Sequence, residues 1–101
     1  MMMEGVAVKQ LKTVPDKRGW LMELLRSDWK CFQNFEQTYV TSVYPQVVKA
    51  WHMHKKQTDN MSCIKGMVKL VLNDDREASN TKNRIDALFI GERNPALGVS
   101  I

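Results

Sequence analysis

The chain has 101 residues, 44% hydrophobic and 26% charged, enough for one small domain and too short for a second independent core. Fifteen Lys and Arg against eleven Asp and Glu leave a formal charge of +4 with no basic block, which argues against nucleic-acid binding and suits a phosphorylated small molecule. Neither end carries an apolar run of membrane-spanning or signal-peptide length, and Cys31 and Cys63 sit in no CxxC or zinc spacing, so the expectation is one domain over residues 1–101, cytoplasmic, with reduced and partly buried thiols and no membrane partner.

In chain order the first punctuation is PDKRG at 15–19, where Pro, Asp and Gly fall in one turn-forming window. WLMELL at 20–25 follows, with Trp20, Leu21, Leu24 and Leu25 at helical spacing, yet it also reads as a buried strand; the preceding tight turn favours the strand. QTYVTSVYP at 37–45 is rich in Thr, Val and Tyr. VVKAWHMH at 47–54 alternates, placing Val48, Ala50, His52 and His54 on one face and Lys49, Trp51 and Met53 on the other. MVKLVLN at 67–73 sends Val68, Leu70 and Leu72 to one side, and IDALFIG at 85–91 is a further strand. Between those two, NDDRE and SNTKN are polar clusters, and DDRE at 74–77 reads as a solvated turn. Short strands separated by polar turns predict an all-β antiparallel barrel or sandwich.

The chemistry concentrates in KAWHMHKKQTDNMSCIKG, residues 49–66. Two histidines in a β-like segment admit a metal site, a proton-transfer base, or polar residues on a wet sheet face. His52 and His54 form HxH, four residues precede Asp59, and six more precede Gly66. This spacing resembles the first signature of the cupin superfamily, with two departures: Gln46 stands at the leading glycine, which implies a less strained turn after Pro45, and Asp59 stands at the glutamate. As a metal site, His52, His54 and Asp59 would offer three N/O ligands suited to Zn, Fe or Mn.

A more specific resemblance spans nearly the whole chain. DKRGWLMELLR, the segment from Gln37 to Val43, VVKAWH, IKGMVKLVLNDDREASNT and FIGERNP resemble the amino-terminal part of the nucleotide-sugar 3,5-epimerases, whose best-known members act on dTDP-4-dehydro-6-deoxyglucose. Their DxRGxxxE segment, basic residue and histidine correspond to Asp16, Arg18, Gly19 and Glu23, then Lys49, then His52. The resemblance implies a cupin-like fold and epimerisation beside a ketone, in which a base removes the α proton and an imidazole titrates in the right range. It implies His52 as that base, Lys49 on a diphosphate oxygen in place of an arginine, and Arg18, Glu23 and Gln37 as nucleotide contacts; His54, where these epimerases commonly carry glutamine, reads as a solvated or hydrogen-bonding residue and a candidate substrate contact. It implies neither metal nor cofactor. The family's enolate-stabilising lysine aligns with Asp59, leaving Lys55 or Lys56 as substitutes.

NPALGVSI falls where that family continues toward a Pro-Gly turn and the tyrosine that acts as opposing acid. The expectation is therefore a cupin-like barrel truncated at its carboxyl side and completed by self-association, a homodimer formed through β-strand pairing. Two other readings stay open: a sugar-nucleotide-binding module without turnover, and a metal cupin. The bland alternative for Arg18 and Glu23 is a surface ion pair. Trp20, Trp29 and Trp51 read first as core or interface residues.

Overall fold

Alternating apolar residues find their partners most simply in a hairpin, and the longest strands among the described residues form one. The computed structural model describes residues 3–53, 58–94 and 97–100. Its strands are β1 (Ala7–Gln10), β2 (Thr13–Asp16), β3 (Gly19–Met22), β4 (Asn60–Ser62), β5 (Met67–Asn73), β6 (Ile85–Gly91) and β7 (Leu97–Ser100), and the described residues contain no helix. In the β5–β6 hairpin Val68 lies opposite Ile90, Leu70 opposite Leu88 and Leu72 opposite Asp86. That face turns inward. Ile90, 2% exposed, packs against Val6, Cys63, Val68, Leu70 and Leu88. Met3, Leu11 and Leu72 are the other fully buried apolar residues among those described, each stabilising by about 1.5–3 kcal/mol.

The remaining strands are also antiparallel. β7 lies between β1 and β4, pairing Lys9 with Gly98 and Met61 with Val99. β2 and β3 close on a two-residue turn, Lys17-Arg18, with Asp16 opposite Gly19. Gly19 has φ 146°, a conformation that side-chain-bearing residues rarely take. Of the expected WLMELL strand, only the part up to Met22 is ladder; Leu24 and Leu25 lie beyond it.

Three expectations are corrected. The segments 37–45 and 47–53 are not strands: among the described residues no strand lies between Met22 and Asn60, and every residue from Gln33 to Met53 is exposed. A strand exists through its ladder, and no described segment of the chain supplies one here, however β-like the composition. The turn after Pro45 is not relaxed either. Val47 N donates to Tyr44 O at 3.1 Å, and Gln46 takes φ 65°, the left-handed conformation a glycine would adopt without strain. A residue with a Cβ adopts it at a cost of about 1–2 kcal/mol.

The third correction concerns DDRE, which is more than a solvated turn. Asp74 is 3% exposed, and its carboxylate accepts from Arg76 Nε at 2.9 Å, from Thr81 Oγ1 at 2.6 Å and from Ser79 Oγ. Glu4 joins the same network: its carboxylate accepts from Asn80 N at 2.8 Å and, 3.0 Å from Ser79 Oγ, shares that single hydroxyl proton with Asp74, its N–H donates to Thr81 Oγ1 at 3.0 Å, and its carbonyl accepts from Arg76. The loop between β5 and β6 thus clasps the amino-terminal segment that leads into β1. A buried carboxylate is stable only when satisfied in this way.

Candidate functional site

The β2–β3 turn presents Arg18. The Asp16 carboxylate accepts from Arg18 N at 2.7 Å and Arg18 Nη2 at 2.8 Å, which holds it below the usual carboxylate range, the guanidinium contributing most. Arg18 nonetheless keeps 90% of its side chain exposed, so most of its donors face solvent. Glu23, just past β3, accepts from Arg26 Nη1 at 3.3 Å, and Arg26 also grips Asp28 through Nε at 2.9 Å. Arg18 and Glu23 each sit in an exposed ion pair, as the surface-ion-pair alternative held, Arg18 with Asp16 and Glu23 with Arg26, and they do not pair with each other.

The turn at Tyr44–Val47 carries Gln37, Lys49 and His52 on its two arms. Gln37 is exposed on the incoming arm, and Lys49 and His52 are exposed on the outgoing one. Lys49 Nζ donates to Thr41 Oγ1 at 2.8 Å, a contact joining the two arms across the turn. Because residues 47–53 form no ladder, strict alternation does not govern them, and Lys49 and His52 need not point to opposite sides. His54 lies outside the described residues, as do Lys55 and Lys56. Among the described residues no group of three His, Cys, Asp or Glu side chains is gathered closely enough to hold a metal ion.

Thr41 is the residue that sequence reasoning missed. A threonine in a Thr/Val/Tyr-rich segment reads as β-propensity, and only its contact with Lys49 marks it out. A small cleft of about 30 Å³, roomy enough for water but not for a sugar, opens elsewhere, between β1, β4 and the loop after β3. Lys9, Leu24, Trp29 and Cys31 line it, with Lys9 Nζ 4.4 Å from the centre of the Trp29 ring. None of the predicted site residues lines this cleft. Cys31 and Cys63 are free and half-buried, as expected.

Comparison with known proteins places this arrangement among sugar-modifying relatives. Residues 4–93 match the family described as FdtA: WxcM-like, C-terminal. The chain is 42% identical over 96 residues to the spore coat polysaccharide biosynthesis protein SpsL of Bacillus subtilis (strain 168), covering 95% of this chain and 64% of SpsL. It is 42% identical over 91 residues to the probable low-salt glycan biosynthesis epimerase Agl13 of Haloferax volcanii, covering 88% of this chain and 58% of that protein. The crystal structure of a dTDP sugar isomerase from Desulfovibrio desulfuricans G20 superposes with a TM-score of 0.92 at 30% identity, over 98% of this chain and 63% of that one. The antiparallel all-β architecture is thus the cupin-like fold expected from the sequence, and the chain spans about three fifths of the length of these relatives.

Proposed function

The chain belongs to the FdtA, WxcM-like C-terminal family, and from that premise we propose that it acts on a nucleotide-linked 4-keto-6-deoxy sugar by proton abstraction beside the ketone. His52 takes the proton from the α carbon, and the C–H electron pair passes into the enolate. Lys49 holds a diphosphate oxygen, Arg18, Glu23 and Gln37 contact the nucleotide, and His54 is a further substrate-binding residue. The proton transfer itself calls for no metal or cofactor. The similarity that carries this reading is the one to the dTDP sugar isomerase, which extends over 98% of the chain. Exposure of Arg18, Lys49 and His52 supports it, since groups that meet a polar ligand must be reachable from water.

The same reading includes a second copy of the chain. The exposed stretch from 33 to 53 carries Val40 at 95%, Val48 at 83%, Tyr44 at 77% and Tyr39 at 75% exposure, apolar side chains that a second copy could cover. A homodimer formed by strand pairing along this stretch would supply its ladder and cover its apolar side chains. The proposed setting is the cytoplasm.

Binding provides the test. Thymidine diphosphate titrated into the protein is expected to bind, with affinity lowered about tenfold or more by Lys49→Ala or Arg18→Ala, the loss usual for a hydrogen bond to a charged group. Absence of binding to the wild-type protein contradicts the proposal. Sedimentation of the protein as a monomer at micromolar concentration contradicts the dimer.

A further inference from the structure

Lys49 differs from the cations that the fold uses to hold itself together. Arg18, Arg26, Arg76, Lys82 and Arg84 each sit on a carboxylate. Lys49 sits on a hydroxyl, Thr41 Oγ1 at 2.8 Å, and among the described residues no carboxylate pairs with it. Its positive charge is therefore positioned without being neutralised.

The donor count explains what such a pair can do. A lysine ammonium has three N–H donors and no acceptor, whereas a threonine hydroxyl has one donor and two acceptor sites. When Lys49 places one N–H on the Thr41 oxygen, the hydroxyl proton cannot return to the ammonium and must find an acceptor elsewhere. Two ammonium protons and one hydroxyl proton remain, on heavy atoms a hydrogen-bond length apart. That spacing is comparable to the distance between two oxygens of a single phosphate group. An arginine supplies two such donors from its own fork, and a lone lysine does not.

We infer that Thr41 and Lys49 form a two-point clamp for one phosphate group, the Thr41 hydroxyl donating to one oxygen and the Lys49 ammonium to its neighbour. The inference rests on the reading of Lys49 as the diphosphate-binding residue and adds Thr41 as a binding and specificity-determining group. The turn that brings the two arms together, with Gln46 at φ 65°, is what sets the clamp.

The test uses inorganic pyrophosphate as the probe, titrated calorimetrically into the full chain. Thr41→Val keeps the shape and removes the hydroxyl, and is expected to weaken binding about tenfold or more. Thr41→Ser, which keeps the hydroxyl, is expected to stay close to wild type. Lys49→Arg in the Thr41→Val background is expected to recover binding, because the guanidinium fork restores both donors. With the nucleotide sugar as substrate, Thr41→Val should raise KM and leave kcat unchanged. Wild-type affinity in Thr41→Val, equal weakness of the Ser and Val variants, or no pyrophosphate binding by the wild type would each overturn the clamp. The clamp and the reaction fail separately. Thr41-dependent pyrophosphate binding without proton exchange on the sugar removes the reaction and keeps the clamp, and exchange with an unaltered KM in Thr41→Val does the reverse.

Discussion

Gly91 closes the β5–β6 hairpin at its open end, and replacing it with alanine should be among the most damaging small substitutions in the chain. It is buried, pairs with Met67, and has φ 145°. A Cβ at this position would collide with the Gly66 carbonyl oxygen and lie 2.9 Å from Met67 Cα, both backbone atoms that no rotamer change can move aside. To make room the strands must part, which strains the Glu92 N to Gly66 O hydrogen bond of 3.0 Å and the Gly66 N to Glu92 Oε1 bond of 3.0 Å. Two hydrogen bonds at about 1 kcal/mol each, added to about 1–3 kcal/mol for the backbone conformation, give a loss of roughly 3–5 kcal/mol. Gly19 is the internal control, because it has φ 146° and a Cβ added there would meet no atom within 4 Å. Gly19→Ala should therefore show the backbone part alone, about 1–3 kcal/mol. Urea unfolding of both variants, compared at constant m, separates the two contributions. Equal losses for Gly91→Ala and Gly19→Ala, or a loss below about 1 kcal/mol for Gly91→Ala, would rule out the backbone clash as the cause.

Two further outcomes test the packing and the clasp. Ile90→Ala, at the centre of the core and 2% exposed, should cost about 2–5 kcal/mol in urea unfolding, whereas Ile85→Ala, at 65% exposure on the same strand, should change stability by less than about 0.5 kcal/mol. Asp74 is held well below its ordinary value, first by Arg76 and then by Ser79 and Thr81. Since its folded pKa is depressed, its contribution to stability is fully present above the unfolded carboxylate value of about 4 and is lost progressively as the pH falls below it. Asp74→Asn should flatten the acid limb of the stability curve, and an unchanged acid limb would show that other groups control it.

The parts of the fold legible in the sequence are those whose partners lie close along the chain. MVKLVLN and IDALFIG form strands over those residues because each presents a face to the other across one loop. QTYVTSVYP and VVKAWHMH carry equal β-propensity, yet a ladder depends on a partner and propensity does not report one. Gln46 shows a similar limit: the missing glycine suggested a relaxed turn, but the chain reversal dictates φ 65° and the side chain accepts it. The Asp74 clasp depends on Glu4, at the far end of the chain, so the polar cluster looked like an ordinary turn. The order of Arg18, Lys49 and His52 was readable as a family motif. Thr41 was not, since its significance lies in a single contact.

The reaction proposed for this chain requires His52 to remove a proton from the carbon adjacent to the ketone of a nucleotide-linked sugar. Proton NMR of a dTDP-linked 4-keto-6-deoxy sugar in deuterated buffer, with the wild-type protein and with His52→Ala, measures that step directly. The signal from the proton α to the ketone should disappear with the wild type and persist with His52→Ala at the same protein concentration. Exchange at equal rates in the two proteins, or none with the wild type, would contradict a proton-abstracting role for His52.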